Sequence, residues 1–212
     1  MASGIDWHGY RTKQTDVVII AREGHAGMAR RLKALEAKYG RKAPDRLFIS
    51  ERPAQLTDCV NAGWVARSIK EICPNPGFVI IDILHRNMAG DENSSQDIGL
   101  FINNIDSYLK PLGAAVLVVH HSGHGAKDRS RGSSSIRAAM DGEFCATKSE
   151  SAITLTLPHK AKDFEALKPL SFTLKPIELS WVDEDDNPMT SVCLEHHGDA
   201  TSNGEETQII DA

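Results

Sequence analysis

Phe78-Val79-Ile80-Ile81-Asp82 is four apolar residues ended by an acid, and Ala114 to Val119 is a second apolar run, ended by His120-His121. Short apolar runs without alternation suit strands covered on both faces, the habit of parallel sheets. In open α/β sheets ligands bind at the carboxyl ends of the strands. An acid at the end of one strand and imidazoles at the end of another are the parts a nucleotide hydrolase needs for Mg²⁺ and a terminal phosphate. Working outward, Val17 to Ala21 and Leu47-Phe48-Ile49 read as further strands. Gly27 to Tyr39 carries Met28, Leu32 and Leu35 among Arg30, Arg31, Lys33 and Lys38, an amphipathic helix closed by Gly40. Cys59 to Ile72 is a second helix, stopped by Pro74 and Pro76. Ser94 or Ser95 caps a third, through Ile98, Phe101, Ile102 and Ile105 to Leu109.

From Gly142 the pattern changes to short alternating segments, Phe144 to Thr147, Ile153 to Leu157, Leu170 to Leu174 and Thr190 to Leu194. These predict antiparallel strands, with Asp183 to Pro188 as a turn between two of them. The fold class expected is α/β with a β-rich C-terminal part. Residues 1–197 are expected to form one domain, and 198–212, polar throughout most of their length, a disordered tail.

A chain of 212 residues with 41% hydrophobic content can bury one good core. Its net charge of −5 argues against coating nucleic acid by bulk electrostatics, though not against a local basic loop. Four scattered cysteines with no C-x-x-C pair read as reduced thiols, and no apolar run approaches membrane-spanning length. A cytoplasmic protein without a membrane partner is expected.

From Asp6 to Cys193 the chain resembles the AAA-type ATPase domain of phage and plasmid replicative helicases, the RepA-like branch of the RecA-like fold. The resembling segments are Trp7-His8-Gly9, Ala21 to Gly27, Ile80-Ile81-Asp82, Gly90 to Ser94, His120-His121, Arg131 to Ser134 and Lys160 to Asp163. Their order and spacing carry the resemblance. It implies ATP and Mg²⁺ as cofactors, single-stranded DNA as partner, a ring of identical subunits, and a bacterial or phage-encoded cytoplasmic setting. It further implies that Glu23 polarises the attacking water, Asp82 holds the Mg²⁺ shell and His121 senses the γ-phosphate. Arg131, Lys160 and Lys162 would reach a nucleotide held by a neighbouring subunit.

Read from chemistry alone, Glu23 fits two roles: a water-orienting acid, or an acidic cap for the helix that follows. Asp82, at a strand terminus, offers the hard oxygen ligand a divalent cation wants. Adjacent strand residues face opposite ways, so one of His120 and His121 packs and the other is free; His121, farther along, is taken as the phosphate contact. Asp91 and Glu92 read as solvated residues of a flexible loop. His124 near His120-His121, and Cys193 with His196 and His197, raise a metal reading without a recognised ligand spacing. The stretch from Ser122 to Arg131 sets Lys127, Arg129 and Arg131 among small residues, a composition suited to a phosphate backbone or to a solvated loop. Arg131 also fits an arginine finger in trans. Lys160 and Lys162 fit a phosphate contact and a solvated strand edge equally.

Nothing in the 212 residues matches G-x-x-x-x-G-K-[ST], the loop whose amides and lysine cradle phosphates. In the family that loop would precede Trp7-His8-Gly9. Arg22 also stands where a small residue is usual, and Ile83 where a hydroxyl is common. In the RecA-like sheet the strand feeding the loop lies beside the one ending at His120, so its absence would leave an unpaired hydrophobic edge. A separately encoded fragment bearing the loop is therefore the expected partner. The alternatives are a degenerate, non-hydrolysing DNA- or protein-binding module of the same fold, and a truncated remnant.

Overall fold

The computed structural model describes residues 1–21, 25–121, 134–150, 152–156, 162 and 168–199. They form two compact units, Met1–Met28 with Lys42–Ala139, and Ala29–Arg41 with the described part of Met140–Ala212.

The first unit holds a four-stranded parallel sheet of β1 (Asp16–Ala21), β2 (Leu47–Ile49), β3 (Pro76–Asp82) and β4 (Ala115–Val118), in the order β2-β1-β3-β4. One set of alternate residues, Val18, Ile20, Val79 and Ile81, is buried. Helix α2 (Cys59–Ile72) lies over Val18 and Ile20 with Val65 and Ile69 across a largely apolar groove of about 220 Å³. Asp58 starts that helix by accepting from the Asn61 N–H at 2.8 Å. Helix α3 (Ser95–Asn104) buries Ile98 and Phe101, and a π-helical turn, Ile105–Leu109, buries both of its terminal residues. Each such fully buried side chain contributes about 1.5–3 kcal/mol. The opposite face of the sheet is more open: Phe78 and Ile80 are half-buried, and Ala115 and Leu117 exposed.

Residues 1–15 fold back on themselves before β1. The Trp7-His8-Gly9 motif is the tip, where Trp7 and Tyr10 exchange both backbone hydrogen bonds at 2.8 Å. His8 and Gly9 both have positive φ there, as a two-residue hairpin turn of this kind requires.

The second unit is an antiparallel sheet of β5 (Cys145–Lys148), β6 (Ile153–Thr156), β7 (Leu170–Val182) and β8 (Pro188–Asp199), in that order. The Ala29–Arg41 part of helix α1 (His25–Tyr39) belongs with it, placing Ala34 against Leu179 and Cys193, flanked by Ile177, Trp181 and Met189. β7 and β8 run much longer than the segments expected from sequence. Pro176 interrupts the pattern of β7, yet it sits opposite Val192 in the ladder. Helix α4 (Ser134–Ala139) had no counterpart in the sequence pattern. Among the described residues no helix is long and apolar enough to cross a membrane.

Candidate functional site

All four parallel strands deliver their carboxyl ends to one edge, and the strand order reverses between β1 and β3, the place where such sheets open a crevice. Asp82, half-buried, closes β3 and lies in register with Ala21, the last residue of β1. The peptide between Asp82 and Ile83 is cis. Beyond the regular ladder the ends of β3 and β4 stay joined: Val119 N–H donates to the Ile81 carbonyl at 2.9 Å, and Leu84 N–H to the Val119 carbonyl at 2.8 Å. His120, half-buried, and His121, exposed, leave this junction, so the pair divides as the alternation argument expects.

Ser50 is a member of this edge that sequence reasoning passed over. Its hydroxyl oxygen accepts the Ala21 N–H at 3.1 Å and its hydroxyl donates to the Arg52 carbonyl at 2.9 Å. This ties the end of β2 to the end of β1, next to the residues that carry Glu23. The signal was present: Leu47-Phe48-Ile49-Ser50 is an apolar strand ended by a polar residue, the same grammar as Ile81-Asp82 and Val119-His120.

The segment after Asp82 overturns one expectation. Asp91 and Glu92 were expected to be solvated in a flexible loop; Asp91 is exposed, but Glu92 is 5% exposed, the one buried charged residue among those described. The loop is built, not loose. Buried Asn87 accepts the Ala54 N–H at 3.0 Å and donates to the Ile83 carbonyl at 2.9 Å. Ala89 N–H reaches the Thr57 hydroxyl at 2.9 Å, and Asp91 N–H the Asp97 carboxylate at 2.9 Å. Asp91 then accepts from Asn93, and Ser94 caps α3 by accepting from Asp97 N–H. Gly90, at φ 102°, fits where a Cβ would stand 2.5 Å from an Asp97 carboxylate oxygen. Glu92 lies with its Oε2 3.7 Å from Nδ1 of His85, in the 3-10 turn Leu84–Arg86.

Of the other expected site residues, Glu23, Lys127, Arg129, Arg131 and Lys160 lie outside the described residues, as does His124. Lys162 belongs to the second unit. It sits in a bend rather than on a strand edge, and its ammonium pairs with Asp141 at 3.0 Å. The Cys193, His196 and His197 group divides among structural tasks: Cys193 is buried in the α1 core, His196 packs on the Phe172 ring and His197 bonds the Thr173 hydroxyl at 2.7 Å. Among the described residues no three His, Cys, Asp or Glu side chains come together to hold a metal. The donor that suits Mg²⁺ is the Asp82 carboxylate, at the edge where a nucleotide's phosphates would share the cation.

A family model described as AAA domain matches residues 1–127. The chain belongs to that AAA family. It is thus an ATPase-type, nucleotide-binding module with a RecA-like fold. Among solved structures it is similar to one described as the crystal structure of the RadB recombinase, at 13% identity, covering 76% of each chain with a TM-score of 0.50. That likeness is one of fold. No curated protein matches the chain.

Proposed function

We propose that this AAA module is the ATPase domain of a replicative-helicase-type motor, coupling Mg²⁺-ATP hydrolysis to movement along single-stranded DNA. It works together with a strand–loop–helix segment carried outside these 212 residues. The supporting observation is the open side of the parallel sheet. β4 is the end strand, Ala-Val-Leu-Val without a charge or proline to block it, and both Ala115 and Leu117 are exposed. Parallel sheets are ordinarily covered on both faces, and bare apolar edges invite pairing. A strand added beside β4 would bring its following loop, and a helix N-terminus suited to phosphate, next to His120-His121.

On this reading Asp82 holds Mg²⁺, which when bound neutralises charge on the phosphates. Glu23 orients water, and exposed His121 donates to the terminal phosphate. Arg131, Lys160 and Lys162 serve a nucleotide on a neighbouring subunit of a homo-oligomeric ring, with Lys162 exchanging its Asp141 partner to do so. Lys127 and Arg129 meet the DNA backbone. The lack of a phosphate-loop motif favours a second reading, a non-hydrolysing DNA- or protein-binding module of the same fold.

The two readings separate on single-stranded DNA affinity, measured with and without Mg²⁺-ATP in the wild type and Asp82→Ala. The motor reading expects nucleotide to change DNA affinity in the wild type only. DNA binding indifferent to nucleotide in both proteins would sink it in favour of the module.

A further inference from the structure

Glu92 is buried where the fold does not ask for a charge. The turns of its loop are held by Asn87, Asp91, Asn93, Ser94 and Asp97, and Gly90 supplies the one backbone conformation that needs a glycine. Burying a carboxylate is costly unless it is matched by polar partners, and this one sits 3.7 Å from Nδ1 of His85. A carboxylate beside one ring nitrogen orients the imidazole and selects its tautomer, leaving the other nitrogen for work. The His85 side chain is 58% exposed. Its turn is clamped to the exit of β4 by the Leu84 to Val119 hydrogen bond, three residues beyond Asp82. The ring is therefore held at the carboxyl edge of the sheet with Nε2 on the side away from its carboxylate.

We propose that His85, positioned by Glu92, contacts the phosphate chain of the nucleotide bound at this edge, a proposal that rests on the nucleotide reading above. In the charged ring Nδ1–H is directed to Glu92 and Nε2–H to a phosphate oxygen, a charge-assisted bond of the kind that polyphosphates attract. Glu92 is a positioning residue: it acts through the ring, supplying the counter-charge and fixing the tautomer.

The test is a titration of the full chain with inorganic tripolyphosphate and then Mg²⁺-ATP, followed by NMR at the ring nitrogens of His85 and the backbone amides of Ile81 and Asp82. The expected result is that His85 Nε2 moves together with those amides, that His85→Ala weakens binding about tenfold, and that Glu92→Gln changes the ring tautomer and removes the Nε2 response. Because His85 is largely exposed, its alanine variant should fold even where Glu92→Gln does not, and the amide spectrum checks both. Amides of Ile81 and Asp82 that move while Nε2 stays still would overturn the proposal and leave the nucleotide reading standing. A His85→Ala variant that binds like the wild type would also overturn it. Silence at every position with both ligands would overturn the two together.

Discussion

The hydroxyl oxygen of Ser50 accepts the backbone N–H of Ala21 at 3.1 Å, joining the ends of β2 and β1 through a side chain after their ladder has ended. A three-residue strand such as β2 has little else to fix its end. Ser50→Ala should lower stability by about 1 kcal/mol, the net worth of one such bond. Urea denaturation would read this as a lower midpoint with an unchanged slope.

Asn87 carries a heavier role. Its side chain satisfies Ala54 N–H and the Ile83 carbonyl, while its own carbonyl accepts from Leu56 N–H at 2.8 Å. Asn87→Ala would strand two buried backbone groups, and should cost about 3 kcal/mol. Asn93→Ala, in an exposed part of the same loop, should cost less than about 1 kcal/mol. Equal losses in the two variants would contradict this account of the loop.

The cysteines should divide by burial. Burial, helped by the nearby negative charge of Asp16, pushes the Cys73 thiol above its ordinary range. Burial also raises Cys193, against the opposing pull of Lys38. Both stay protonated and covered, whereas Cys59 is exposed at the start of α2. Peptide mass mapping after iodoacetamide should find Cys59 alkylated in the native protein, and Cys73 and Cys193 only in urea.

At the β7–β8 turn, the N–H of Asn187, aided by that of Asp185, holds the Asp183 carboxyl below its usual range. A folded value lower than the unfolded one means that this carboxylate stabilises the turn at pH values above its ordinary range. The contribution fades as the pH falls through the lower folded value. The Asn187 amide resonance should therefore titrate in acid in the wild type, and lose that step in Asp183→Ala.

Much of the fold was legible because its strands announce themselves. β1, β2, β3 and β4 are apolar runs closed by polar residues or turns, and α2 matched its expected bounds, Cys59 to Ile72. The long hairpin was not, because Pro176 and the run Glu195-His196-His197 break the alternation that marks a strand while the ladder tolerates them. At the site, Asp82 was readable from its place after four apolar residues. Glu92 was not: an acid between Asp91 and Asn93 looks solvated, and only the hydrogen bonds of the surrounding loop turn its side chain inward. Asn87 was hidden in the same way, its partners Ala54 and Ile83 lying on separate segments.

The most direct test of the central claim is whether Mg²⁺-ATP meets this chain at the carboxyl edge of its parallel sheet through Asp82. Backbone amides of Ala21, Ile81, Asp82 and Val119 should shift on adding Mg²⁺-ATP to the wild type, and stay unmoved when Mg²⁺ is withheld or in Asp82→Ala. Shifts confined to other parts of the molecule, or shifts at this edge that Asp82→Ala leaves intact, would contradict it.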